Sequence, residues 1–149
     1  MSPSIEIGCV MWSLASSPCL GVYTPIWAGY RGDTPAEWQK GSDSFSPDSA
    51  WWTFENIQRI VAPKENANPE FWKVTWRVLR ERWNKIEKKG SEQVATLEKD
   101  ALKLWERGKT DEARRLLTNY TNTRLHSDFL EARSLLDGLK AKCAMPGRE

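Results

Sequence analysis

Apolar residues change their period near residue 30 of this chain, from two to about 3.6. Between Ile5 and Leu14 they alternate, with Ile5, Ile7, Cys9 and Met11 on one side and Gly8, Val10, Trp12 and Leu14 on the other. From residue 9 onward both sides are apolar, which predicts a strand buried on both faces. Ser16, Ser17 and Pro18 supply turn chemistry. A second run, Cys19 to Ala28, puts Leu20, Val22, Thr24 and Ile26 on one face and Tyr23, Pro25 and Trp27 on the other. Pro25 cannot donate to a ladder, so the strand is expected to be an edge there, or bulged. Residues 29–46 are rich in Gly, Asp and Ser and read as loop, with a short turn around Ala36–Gln39.

Helical periodicity takes over after Ser46. That residue has the side chain of an N-cap, Pro47 suits the first helical position, and Asp48 and Ser49 suit the first turn, so a helix is expected from there to about Val61, ahead of Pro63. Asn68 and Pro69 repeat the start signal. The stripe that follows, Trp72, Trp76, Leu79, Trp83 and Ile86, is a helix face. Gly90 is expected to end this helix and Ser91 to cap the next, with Val94, Leu97, Ala101 and Leu104 inward and Gly108 closing it. Thr110 is expected to cap a last helix carrying Ala113, Leu116, Leu117, Tyr120, Leu125, Phe129, Ala132, Leu136 and Leu139 to about Lys140. The expected organisation is one incomplete domain: a strand pair in residues 1–30, a loop at 31–46, helices at 47–140 and a frayed tail at 141–149.

Composition narrows the classes. A chain of 149 residues with 28% charged and 40% hydrophobic residues is globular material, not a disordered tail. The net charge of +2 implies no nucleic-acid partner by itself. It is unevenly placed: residues 1–63 hold 3 Lys/Arg and 6 Asp/Glu, leaving 19 and 14 for residues 64–149. No apolar run approaches the roughly 20 residues that span a bilayer, so no membrane partner is expected. Glu6 and Gly8 interrupt the N-terminal apolar stretch, which therefore reads as strand instead of secretory signal. Cys9, Cys19 and Cys143 are odd in number and widely spaced, and His126 is the one histidine, so neither a zinc site nor another cofactor is expected. Unpaired cysteines lean towards the cytoplasm.

Candidate chemistry is sparse. His126, Ser127 and Asp128 name the members of a hydrolytic triad, but neighbours on a helix point in different directions and cannot relay a proton. Asn119-Tyr120-Thr121 fits a glycosylation pattern yet falls inside a predicted helix. Glu92, Glu98 and Asp100 lack a metal-holding spacing, and Glu81/Lys85 is surface patterning. Cys9 would become a nucleophile with its own α-amine as base only if residues 1–8 were removed. In a mid-strand alternation it reads as a small buried hydrophobe. No catalytic, cofactor-binding or metal-binding residue is assigned.

Val10-Met11-Trp12-Ser13-Leu14-Ala15, then Val22-Tyr23-Thr24-Pro25-Ile26-Trp27-Ala28-Gly29, then Ser46-Pro47-Asp48-Ser49-Ala50-Trp51-Trp52-Thr53-Phe54 together resemble the C-terminal region of the cysteine dipeptidases of the dipeptidase A and secernin group. Ala113-Arg114-Arg115-Leu116-Leu117-Thr118-Asn119-Tyr120-Thr121-Asn122 resembles the Leu-Thr-x-Tyr-Thr/Ser-Asn segment of that family's closing helix. The resemblance covers about residues 7–140. It implies an α+β fold that is the C-terminal part of a four-layer αββα N-terminal-nucleophile hydrolase, here a strand pair followed by about four helices. It also implies dipeptide substrates for the intact family, cleaved by a cysteine at the mature N-terminus. That cysteine would lie far upstream of the matched region, so no catalytic residue carries over onto this chain.

The patterning agrees with an incomplete fold. Two strands apolar on both faces need cover on both sides, from an N-terminal half or from another copy. Three functions follow: a hydrolase portion inactive without its catalytic half, a non-catalytic Trp-rich helical interaction module, or a nucleic-acid binder using the aromatics and cations of residues 71–89. The last requires exposed indoles, whereas the register groups them with Leu79 and Ile86.

Overall fold

A computed structural model describes residues 6–13, 17–41, 43–62 and 69–144. It is α+β, a two-stranded antiparallel sheet standing against four helices. The elements are β1 (Cys9–Ser13), a single 3-10 turn (Pro18–Leu20), β2 (Tyr23–Trp27), α1 (Ala36–Gln39), α2 (Ala50–Val61), α3 (Pro69–Glu106) and α4 (Thr110–Ala144). Ile5, Leu14 and Asn68 lie outside the described residues, as does the side chain of Cys143.

The strands are shorter than the alternation suggested, because Pro18 to Leu20 spend the start of the second run on the 3-10 turn. In the register Cys9 faces Trp27, Val10 faces Ile26, Met11 faces Pro25 and Trp12 faces Thr24. Val10, Trp12, Thr24 and Ile26 therefore share one face. Pro25 is accommodated without a bulge. Its carbonyl turns away from β1 and accepts from the Thr121 hydroxyl on α4. The backbone N–H of Tyr23, two residues earlier, likewise points outward, to Glu87 on α3 at 3.1 Å. The side of Pro25 that lacks a donor is thus the helix side, and no bond to β1 is lost.

Helix α2 begins three residues later than its first start signal. The Ser49 side chain, not that of Ser46, accepts from the backbone of Trp52 at 3.3 Å, while Ser46 to Ser49 close a turn through Ser49 N and Ser46 O. Two competing serines stand at this boundary, and the one whose hydroxyl also donates to the Lys40 carbonyl takes the cap. Its buried stripe is Ala50, Thr53, Phe54, Ile57 and Val61.

The larger departure lies in α3, which runs unbroken for 38 residues through Gly90 and Ser91. Gly90 is buried against the Arg124 guanidinium of α4, so the missing side chain serves a close helix crossing and not a stop. Ser91 donates back to the Glu87 carbonyl at 3.0 Å instead of capping a new helix. The helix does end at Gly108, whose φ of +75° gives the left-handed turn that lets α4 fold back. Lys109 N and Gly108 N close that turn on Leu104 and Trp105 carbonyls.

Two apolar clusters sit in the hairpin of α3 and α4. One gathers Val22, Phe54, Ile57, Leu79, Trp83 and Leu136; the other gathers Trp27, Ala101, Ala113 and Leu117. Leu79 and Trp83 of the Trp stripe are fully buried, and the Trp83 indole donates to the Leu20 carbonyl at 2.9 Å. Towards its start the stripe opens, and Trp76 is 37% exposed.

Candidate functional site

Strand β1 is poorly covered for a strand with an apolar sequence. Val10 is 65% exposed, Met11 40% and Trp12 51%. Burial of both faces was expected from the alternation; only β2 is buried in that way, packed against α3 and α4. The physical reason is that the long helices pack on β2 and not on β1, whose outer edge also meets no further strand among the described residues. A row of unpaired backbone groups beside apolar side chains is the form of an edge that accepts another strand.

Behind Trp12 the shared face opens into an apolar groove of about 320 Å³, with Ile26, Tyr30 and Trp38 on one side and Thr121 and Leu125 of α4 on the other. Its polar tips are tied down. The Tyr30 hydroxyl donates to Asn122 Oδ1 at 2.7 Å, and the Trp38 indole donates to the Leu125 carbonyl at 2.9 Å. Burial pushes the Tyr30 phenol above its ordinary value.

The sheet is anchored from below by a buried polar group. Thr24 Oγ1 donates to Asp128 Oδ2 at 2.5 Å, and Arg124 Nη2 stands 3.2 Å from Asp128 Oδ1. That second contact is an ion pair without hydrogen-bond alignment, so Oδ1 accepts no hydrogen bond among the described residues. Burial raises the Asp128 carboxyl above its ordinary value; Arg124 and the Thr24 bond pull it back, and Glu87 and Glu131 add to the rise. Further along, Glu6 ties the approach to β1 onto α4 by two hydrogen bonds with Arg114, at 2.7 and 2.9 Å. Those bonds hold the Glu6 carboxyl below its ordinary value.

Residues singled out as candidate chemistry are dispersed. His126 is exposed, its Nδ1 2.7 Å from Glu37 Oε1 on α1, while Asp128 faces Thr24 on the buried side of α4. Cys9 packs beside Trp27, and burial, with the charge of Glu98, raises its thiol above the ordinary value. That is the reverse of what activates a nucleophile. Cys19 is exposed and free. Asn119 lies within α4, and Glu98 accepts from the Trp27 indole. Among the described residues no group of three or more His, Cys, Asp or Glu could hold a metal ion, and no helix is long and apolar enough to cross a membrane.

Sequence reasoning missed the Thr24–Asp128–Arg124 anchor. Asp128 falls in the inward register of α4 with Thr121, Leu125, Ala132 and Leu135, one turn after Arg124. A carboxylate inside an apolar stripe, with a cation four residues before it, was the available signal.

Comparison of the chain with protein-family models, with curated proteins and with solved structures returned no match.

Proposed function

We propose that this chain is the C-terminal scaffold portion of a cysteine dipeptidase of the N-terminal-nucleophile class, inactive alone, whose β1 edge receives the sheet of the catalytic half. The observation that carries the reading is the exposure of Val10, Met11 and Trp12 on a strand with one open edge. The motif resemblance along residues 7–140 supports naming the partner as the catalytic half of that family. Cys9 takes no catalytic part in this reading, since its raised thiol and its packing suit a core position. The scaffold's contribution is mechanical: the Asp128 anchor and the Glu6–Arg114 tie hold the strand pair on α4.

The test is complementation. The chain is mixed with the N-terminal half of a cysteine dipeptidase of the resembled family, and dipeptide hydrolysis is assayed for each part and for the mixture. Turnover only in the mixture, lost when Met11→Lys charges the open strand, is the expected result. Robust turnover by this chain alone, abolished by Cys9→Ala, would overturn the scaffold reading.

A second reading, a non-catalytic helical interaction module, is favoured by the open start of α3, where Phe71, Val74, Trp76 and Val78 are all exposed. Under it, Trp76→Ser abolishes partner binding and Met11→Lys does not. Nucleic-acid stacking on this helix has less to work with, because Trp83 is fully buried.

A further inference from the structure

At the start of α2, Trp51 and Trp52 form a right-angled aromatic corner: their ring centroids are 4.6 Å apart and their planes 84° apart. With Gly41 and Asp43 they line an open cavity of about 580 Å³. We propose that this corner binds an organic cation of the quaternary ammonium type, with Asp43 as the counter-charge.

Four observations support the assignment. Trp51 lies off the buried stripe of α2 and is 45% exposed, so the core does not account for it. The two indoles stand edge to face and Phe45 packs against Trp52 as well, so the ring left most open is that of Trp51, and ring faces attract cations through their quadrupole. That the Trp52 ring attracts a cation is seen in the Arg59 guanidinium 5.7 Å from its centroid, whose charge is offset by its pairing with Glu55 and which leaves Trp51 as the ring open to a ligand. Asp43, which lines the same cavity, supplies a carboxylate that makes no ion pair among the described residues, whereas Asp48 is engaged by Arg133 at 3.7 Å.

The positive end of α2 would oppose a cation if its amides were bare. It is answered locally, since the Ser49 hydroxyl accepts from Trp52 N. Gly41 adds no side chain to the lining, and the open cavity has room for a trimethylammonium head. This inference stands apart from the dipeptidase reading and uses neither β1 nor its groove.

The probe is choline, compared with its uncharged carbon isostere 3,3-dimethylbutan-1-ol, with binding followed through the indole N–H resonances of the 15N-labelled chain. Choline is expected to shift the Trp51 and Trp52 signals saturably, and the isostere to bind about tenfold more weakly. Asp43→Asn should weaken choline several-fold and leave the isostere unchanged. Trp51→Ala, at an exposed position that leaves the core intact, should abolish the shifts, while Trp51→Phe retains part of them. Equal binding of choline and isostere would overturn the proposal, as would shifts that sodium chloride reproduces. Shifts produced by a neutral hexose with choline silent would overturn it too and make the corner a sugar platform.

Discussion

Nη2 of Arg124 stands 3.5 Å from the point a Cβ on Gly90 would occupy, so α3 and α4 cross at a glycine and a guanidinium. The separation decides what that glycine tolerates. A methyl group at 3.5 Å is an ordinary contact, and alanine would remove the helix penalty of glycine. Gly90→Ala is therefore expected to stabilise the chain by about 0.5–1 kcal/mol. Gly90→Leu should push Arg124 off Asp128 and cost about 1–3 kcal/mol. Urea denaturation of both variants checks the pair; loss of stability in the alanine variant would show that the crossing is tighter than this.

The Asp128 carboxyl titrates above its ordinary value in the folded state, so the fold binds its proton more tightly than the unfolded chain does. Its contribution is then largest below the ordinary aspartate range and declines as pH rises through that range towards the folded value. Asp128→Asn keeps an acceptor for Thr24 and removes the titration. Relative to this variant, the native chain should lose stability as pH rises from about 4 towards 7. Thermal melts across that interval measure it, and a constant difference between the two proteins would refute it.

Arg124 carries the opposite expectation. Arg124→Met leaves a buried carboxylate without its counter-charge and should cost about 3 kcal/mol at neutral pH. The cost should shrink in acid, where Asp128 takes up its proton, and shrink also in the Arg124→Met/Asp128→Asn double variant. Equal penalties at pH 4 and pH 7 would mean that Arg124 acts by packing alone.

Trp83 and Trp76 belong to one sequence stripe but should behave differently. Trp83→Ala empties a fully buried site and removes a hydrogen bond to Leu20, with an expected cost of about 3–5 kcal/mol. Trp76→Ala, at a site 37% exposed, should cost less than about 1.5 kcal/mol. Similar losses at the two positions would mean that the start of α3 is covered in solution.

The thiols offer a chemical readout. Cys19 is exposed, whereas Cys9 is half-buried with its thiol raised by desolvation and by Glu98. Iodoacetamide near neutral pH should alkylate Cys19 well before Cys9, as followed by peptide mass spectrometry. Faster modification of Cys9 would revive it as a nucleophile.

Elements were legible in the sequence wherever one local signal acted alone. The helix that carries the Trp72-to-Ile86 stripe, the Gly108 turn and the Ala36–Gln39 turn stand where periodicity and turn chemistry put them, although only the later part of the stripe is buried. Signals failed where a distant contact set their meaning. Gly90 followed by Ser91 reads as stop and start, until Arg124 from another helix explains the glycine. Ser46 reads as the cap with Ser49 in the first turn, until the Lys40 carbonyl, held by the Ser49 hydroxyl, explains why Ser49 caps instead. Pro25 marked an outward-facing side of its strand, although what faces that side is Thr121, 96 residues away. The polar anchor was hidden for the same reason, since Thr24 and Asp128 acquire a role only together.

Thr24 and Asp128 are 104 residues apart, and Glu6 and Arg114 are 108. A ribosome adding about 5–20 residues per second would leave the N-terminal strands without these partners for roughly 5–20 s. Throughout that interval Val10, Met11 and Trp12 are borne by a hairpin too small to be stable by itself. The helical hairpin, whose turn joins contacts close in sequence, forms only after the strands have emerged. Nascent chains stalled before Asp128 should therefore be the ones that a chaperone holds.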